Sequence, residues 1–291
     1  TVVGKPRQED VFIGDYLQRL LSPLFPVVMP NVRDLWSYGE TGYHALAGAV
    51  VEERYRREAL QAAFRILGEG QLSLTKFLWV VGQPVDLRKP KAVLEHLLAR
   101  FRPETDLYVL SNASMDTLDY TGPAVNSGSK GVMLGLGEPW RTLPPRFSGQ
   151  LPPGISEAVA FCAGVLLVSG PDHRSDPRFA ERLPALFPDW PLVVAVDDAA
   201  AAASSDTRFL WTVFTRFEPA ADLFAGSTRV ERHHLVYSGP IAIDARFKSS
   251  YPAELRCDDV TRATVDRRWS EYFPDGKIAM GDSDAGHLDQ S

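Results

Sequence analysis

The octapeptide RFRPETDL at residues 100–107 returns as RFEPAADL at residues 216–223, an offset of 116 residues with five of eight positions identical. The same offset carries Ala47 and Gly48 onto Ala163 and Gly164, and Val50 and Val51 onto Leu166 and Leu167. It also carries Leu67 onto Leu183, Val80 onto Val196 and Leu94 onto Leu210. No gap is needed from 47 to 107, with a slip of about two residues in the middle strands. A chain that contains one piece twice must fold as two copies of one motif. The rival reading is coincidence between two βαβ units, which share a hydrophobic period by default.

The octapeptide itself reads as punctuation. Its Phe closes the apolar face of a helix, and its Pro ends that helix by lacking an N–H and crowding the preceding turn. The Arg suits the negative end of the helix. The Asp fits the turn, and the Leu opens the next strand.

The elements around it alternate. Residues 9–23 read as a helix, with Val11, Phe12, Tyr16, Leu17, Leu20 and Leu21 at helical spacing and Pro23 as its end. FPVVMPNVRDLWS looks extended and YHALAGAVVE reads as a buried strand. A helix over RYRREALQAAFRILGEG stops at Gly68 and Gly70. The strand KFLWVVG, the helix KPKAVLEHLLARF with Pro90 in its first turn, the strand DLYVLSN, a Gly/Ser/Asn loop and a weaker strand GVMLGLG complete the first half. A connector bearing prolines 139, 144, 145, 152 and 153 follows. The second half offers AVAFCAGVLLVSG as a strand and DPRFAERLPALFPD as helical, interrupted by Pro184. PLVVAVDD is a strand, SDTRFLWTVFTRF a helix capped by Asp206, ADLFAG a strand, and LVYSGPIAIDARFK is extended. A late amphipathic helix begins at Asp258 or Asp259, before a Gly/Asp/Ser-rich tail expected to be mobile.

The predicted fold class is therefore α/β: two related α/β sandwich units in tandem, an internal duplication at an offset of 116 residues, with helices covering mixed sheets. The expected divisions are 1–25, a linker strand and helix; 26–150, the first unit; 151–274, the second unit with the late helix; and 275–291, the tail. Thr1 to Val3 is strand-like and runs straight into a turn signal from Gly4 to Pro6, as the end of a strand whose partners lie upstream would. A trimmed or processed chain is the alternative.

Composition excludes several classes. A net charge of −6 without a basic run argues against non-specific nucleic-acid binding. No apolar run reaches the roughly 18 residues of a membrane span. Cys162 sits in an apolar run, and Cys257 lacks a CxxC partner, so neither zinc nor a disulfide scaffold is indicated and a reducing cytoplasm is expected.

Motifs for chemistry are sparse. There is no GxxxxGK[ST], GxGxxG after a strand, HExxH or GxSxG. The adjacent pair His233–His234 diverges on a strand and reads as solvated or core histidine. Asp197 and Asp198 end a strand, where acids serve ligands or simply start a helix. Residues 126–131, NSGSKG, read either as an anion-binding nest beside Lys130 or as a flexible loop. Glu52 and Glu53 read as solvated. No catalytic residue and no metal ligand is assigned.

Several segments, taken in order, resemble the UbiD family. TVVGKPRQED, DYLQRLLSPLFP, YHALAGAVVEERYRREALQAAF, LTKFLWVVGQPVD, RFRPETDLYVL and TLDYTGPAVNSGSKG cover about residues 1–137. PLVVAVDD, FLWTVFTRFEPAADLF and SGPIAIDARFK resemble the carboxy-terminal portion of longer members. The family are carboxy-lyases of aromatic and α,β-unsaturated acids that use prenylated FMN with a divalent metal, some in ubiquinone or menaquinone biosynthesis. The resemblance implies that the flavin, the metal and a Glu–Arg–Glu network belong to an upstream flavin-binding domain of the same polypeptide. It implies that this portion closes over substrate and builds a homo-oligomer, and that the isolated chain is inactive. Lys76 and Lys130 match family positions and are candidates for facing the missing domain. The chain departs from the family pattern at GQPVD after Trp79–Val81 and at GSKGVMLGLG, which leaves the substrate open. A non-catalytic scaffold or oligomerisation module is the alternative.

Overall fold

In a computed structural model, which describes residues 15–253 and 258–276, ten strands form two five-stranded sheets. In the first sheet β1 (Val32–Ser37), β2 (Leu46–Val51), β3 (Phe77–Val81), β4 (Leu107–Ala113) and β5 (Gly128–Gly135) lie in the order β1-β2-β3-β5-β4. In the second β6 (Glu157–Cys162), β7 (Val165–Ser169), β8 (Leu192–Ala195), β9 (Leu223–Glu231) and β10 (His234–Asp244) lie in the order β6-β7-β8-β10-β9. The central three strands of each sheet are parallel and both edge strands antiparallel. The two units thus share one topology, and the fold is α/β in two mixed sheets as the repeat predicts.

The gap-free alignment does not extend through β2. Leu46 pairs with Phe77 in the first sheet, 31 residues apart, whereas Val165 pairs with Leu192 in the second, 27 apart. Two parallel pairs with different separations cannot be superposed at one offset. Ala47 and Gly48 lie inside β2, but Ala163 and Gly164 form the turn between β6 and β7. Gly164 takes φ +85°, a left-handed conformation that glycine adopts without a Cβ penalty. AVAFCAGVLLVSG is accordingly two strands and not one.

The helices lie in layers about the sheets. In chain order they include α1 (Leu17–Leu21), α2 (Phe25–Val28), α3 (Glu58–Ile66), α4 (Pro90–Arg100), α5 (Pro103–Asp106), α6 (Leu183–Leu186), α7 (Ala199–Ala203), α8 (Asp206–Phe214), α9 (Pro219–Asp222) and α10 (Asp259–Tyr272). Ala59, Ala62, Ala63 and Ile66 of α3 pack on the outer face of the first sheet, against Leu78, Val80, Val132 and Leu134. Ala180 and Leu183 cover the outer face of the second sheet, against Leu166, Val168 and Val193. Between the sheets, α4 and α8 send Leu94, Leu97, Phe209 and Phe214 into one core shared by Phe77, Trp79 and Met133 from the first sheet and Val165, Val194 and Ile243 from the second. Side chains alternate along each strand, so odd positions 77, 79 and 81 face this shared core and even positions face outward. Gly135 admits α4, because a Cβ there would stand 2.6 Å from the Leu97 Cα.

Several local expectations need correction. GVMLGLG belongs to a fully buried central strand, not a weak one. Residues 126–131 run into β5 and do not form a nest. FPVV is helical. The first α-helix ends at Leu21, just before Pro23, and a 3-10 turn from Ser22–Leu24 then leads into α2. The cap of α8 is Ser205, whose hydroxyl accepts from the Arg208 N–H at 3.2 Å. Asp258 caps α10 by accepting from the Thr261 N–H, and that helix has no buried residue. The prolines of the octapeptide open α5 and α9 at their first turn and do not merely close the helix before. The connector is docked by its own donors. Trp140 Nε1 donates to Arg100 O at 3.1 Å and Arg141 Nη2 to Phe101 O at 2.9 Å. The readings of residues 1–14, Cys257 and 277–291 lie outside the described residues.

Candidate functional site

The octapeptide builds the same turn twice, and each turn reaches across to the other sheet. In α5 the Asp106 Oδ2 accepts from the Arg102 N–H at 2.9 Å; in α9 the Asp222 Oδ2 accepts from the Glu218 N–H at 2.8 Å. Each acid thus satisfies an N–H that the start of a helical turn leaves open. Each is also buried against a cation, Asp106 with Arg57 at 2.6 Å and Asp222 with Lys248 at 3.2 Å. Helix α9 lies along β4 and β5, where Ala220 N–H donates to Ser129 Oγ at 2.8 Å, and α5 lies along β10.

Around α9 the seam between the units is polar and closed. Lys76, just before β3, is 1% exposed, and its Nζ lies 2.7 Å from Asp119 Oδ2 and 3.3 Å from Thr121 Oγ1. Burial pushes the Lys76 ammonium below its usual range, and Asp119 opposes that. Lys130 is its lateral neighbour, since Phe77 pairs with Gly131. Its Nζ donates to Ser73 O at 2.7 Å and Thr75 O at 2.8 Å, and burial pulls its pKa down to about 8. Both side chains therefore point inward and are satisfied within the chain.

Loop 114–127 lies over this seam and is pinned at three points. Asp116 pairs with His44 Nδ1 at 2.6 Å, and the resulting hydrogen bond holds its carboxyl below the usual range. Asp119 pairs with Lys76. Tyr120 packs edge-on to Tyr251 from the second unit, with ring centroids 5.0 Å apart. Tyr251 in turn donates to Arg216 O at 2.8 Å and accepts from Lys248 Nζ at 3.0 Å. Burial pushes both tyrosine hydroxyls up. It pushes the Asp222 carboxyl up as well, against the pull of Lys248. Beyond Lys248, Asp244 and Arg246 form a bidentate buried pair at 2.9 and 2.6 Å.

The other candidates are separate from this seam. Asp198 caps α7 through the Ala201 N–H at 2.8 Å, and Asp197 accepts from Arg216 at 3.0 Å and from the Phe247 N–H at 2.9 Å, so both serve the turn. Glu52 pairs with Arg33 at 2.6 Å, and Glu53 accepts from the Ala59 N–H at 3.0 Å. His233 is exposed, and the His234 ring lies against Tyr108 at 5.2 Å. Cys162 is buried, which pushes its thiol up.

The sequence reading missed Asp119, Asp222, Lys248 and Tyr251. One signal was present: the Asp shared by both octapeptides sits where a turn needs a carboxylate, and a repeated buried acid calls for a cation. Among the described residues no group of three His, Cys, Asp or Glu could hold a metal ion. Also among them, the buried cations Lys76, Lys130, Arg246 and Lys248 already hold carboxylates or carbonyls. These residues do not fit a flavin phosphate, and no catalytic step is assigned to them. Chemically, the seam is a brace that fixes loop 114–127 against the second unit.

Residues 11–135 match the family model of the 3-octaprenyl-4-hydroxybenzoate carboxy-lyase C-terminal domain. This part of the chain is a UbiD C-terminal domain. An uncharacterized protein of Chlamydia trachomatis is 50% identical over 274 residues, which cover 94% of this chain and 47% of that protein. A Chlamydia pneumoniae protein named as a subunit of 4-hydroxybenzoate decarboxylase is 48% identical over 277 residues, again 94% of this chain and 47% of that protein. The chain therefore spans about half the length of these relatives. Among solved structures, vanillic acid decarboxylase of Sedimentibacter hydroxybenzoicus in its closed form shares 21% identity over 50% of this chain and 30% of its own, with a TM-score of 0.41. The UbiD-class enzyme HmfF of Pelotomaculum thermopropionicum in complex with FMN shares 19% over 53% of this chain and 34% of its own, also at 0.41. The UbiD domain contains the whole first sheet and loop 114–127. No helix among the described residues is long and apolar enough to cross a membrane.

Proposed function

We propose that this chain is the carboxy-terminal part of a UbiD-like (de)carboxylase that acts on an aromatic or α,β-unsaturated carboxylic acid with prenylated FMN. The observation that carries the reading is the UbiD C-terminal domain over residues 11–135, on a chain half as long as relatives one of which is named as part of a decarboxylase. The flavin and its divalent metal are held by another domain, on a preceding segment of the same polypeptide. Prenylated FMN, bound there, supplies the covalent chemistry that stabilises the electrons left when carbon dioxide departs. This chain contributes a rigid wall and closure over the substrate, which excludes water and fixes orientation.

In this reading the chain divides into units at 26–150 and 151–274; the presence of two separate sheets supports that division, and a shared core joins them. Lys76 and Lys130 border the face presented to the flavin domain, Lys76 by fixing loop 114–127 through Asp119 and Lys130 by holding the turn at Ser73 and Thr75 before β3. The assembled protein is a cytoplasmic homo-oligomer in this reading. The test is flavin absorbance of purified protein. A longer polypeptide carrying the preceding segment is expected to purify with bound flavin, and the 291-residue chain without it. A longer polypeptide that binds no flavin and only forms stable oligomers assigns the chain to a scaffold instead.

A further inference from the structure

One short coil shows water a run of apolar side chains. Leu20 and Leu24 are 58% and 52% exposed, Val27 82% and Val28 43%. Pro23 and Pro26 are exposed beside them. These residues recur every three or four positions along α1, the 3-10 turn Ser22–Leu24 and α2. From Leu20 to Asn31 the chain carries no charged residue. A surface helix ordinarily turns such a stripe toward the core. Apolar side chains scattered singly over a surface are normal, but a contiguous uncharged stripe marks a contact.

The coil cannot roll this stripe under, because its other side is fastened to the first sheet. Gln18 Nε2 donates to Ser37 O at 3.3 Å, and the Ser37 N–H donates to Gln18 Oε1 at 2.5 Å. One amide thus satisfies both backbone groups of Ser37 at the end of the edge strand β1. Phe25 packs against the outer cluster that also holds α3, and Met29 is buried in it. Turning the coil would break the two hydrogen bonds and bring Phe25 and Met29 into water. The stripe is therefore held outward in one fixed shape. It also fits a copy of itself. About a two-fold axis crossing the coil at Leu24, Leu20 falls opposite Val28 and Leu24 opposite Leu24, so apolar meets apolar throughout. No charge within the stripe has to leave water for that pairing. The exposed side chains of one stripe present roughly 500 Å², so two stripes together bury roughly 1,000 Å², the size at which specific interfaces begin.

We propose that a second copy of this chain covers the stripe, coil against coil, through Leu20, Leu24, Val27 and Val28. This names the surface behind the homo-oligomer of the proposed function, and it uses nothing of the flavin reading. Sedimentation velocity of the 291-residue chain, from about 1 to about 100 micromolar, tests it. A dimer is expected at the upper end of that range, with a melting temperature that rises with concentration. Val27→Glu and Leu20→Glu are each expected to raise the dissociation constant by about tenfold or more, because pairing would bury a carboxylate without a partner. Their circular dichroism is expected to match wild type, because both side chains already face water in the single chain. Leu235→Glu, at a position 43% exposed on β10 of the second sheet, is expected to leave the dimer unchanged. A chain that stays monomeric up to about 100 micromolar, a dimer indifferent to both stripe variants, or equal loss in the Leu235 variant overturns the proposal. Each of these outcomes leaves the flavin reading standing, since that reading is decided by the absorbance of the longer polypeptide.

Discussion

Phe214 of the second unit stands edge-on to Trp79 of the first, with ring centroids 5.2 Å apart and planes at 84°. Phe77 completes the group, 6.0 Å from Phe214 and 5.5 Å from Phe217. These rings lie in the layer between the sheets, so neither unit has an inner face that water could cover cheaply. The two units fold together for that reason. Phe214→Ala is expected to cost about 3–5 kcal/mol and to lower a single cooperative melting transition, read by calorimetry and by circular dichroism at two wavelengths. Residues 26–150 expressed alone are expected to expose Phe77 and Trp79 and to bind hydrophobic dyes as a loosely packed state. A sharp, independent transition for 26–150 would contradict the shared core.

The Lys76–Asp119 pair makes a second prediction. Asp119→Ala leaves a cation 1% exposed without its carboxylate and is expected to destabilise by about 3 kcal/mol. Joint replacement, Lys76→Met with Asp119→Leu, removes both charges and is expected to recover most of that loss. Denaturant titration of the single and double variants gives the coupling. Additive losses would mean that the pair does not brace the loop.

Lys130 predicts a pH dependence. Its pKa in the folded chain is about 8, below the ordinary lysine value of 10.5 that the unfolded chain regains. Between these values the unfolded chain binds the proton and the folded chain does not, so stability rises with pH across that window. Below about 8 both states are protonated and the cost of the buried charge is fully present. Lys130→Met is expected to lose this slope. The difference in unfolding free energy between wild type and variant, measured from about pH 7 to pH 10.5, should narrow upward through the window. A difference independent of pH would exclude the depressed pKa.

How much of this was legible in the sequence depends on the kind of signal. The strands Phe77–Val81 and Leu192–Ala195 are unbroken apolar runs, and such runs are what two-sided burial in a parallel sheet produces. The octapeptide announced the repeated turn, because Pro and Asp act locally. The register was not legible. Whether Gly164 is a strand residue or a turn depends on pairing with a distant strand, and local matching aligned it wrongly with Gly48. The seam was hidden for a similar reason. Asp119, Lys248 and Tyr251 are ordinary loop residues in sequence, and only the packing of one unit on the other makes them a group. His234 read as an unremarkable histidine, because nothing local shows that its Nε2 is shielded and unmatched.

The division of labour between this chain and a flavin-bearing domain is the claim on which the functional account rests. The most direct measurement is release of carbon dioxide from an aromatic carboxylic acid supplied with prenylated FMN. The account predicts turnover by a longer polypeptide that includes the preceding segment and none by the 291-residue chain. Turnover by this chain unaided would contradict it.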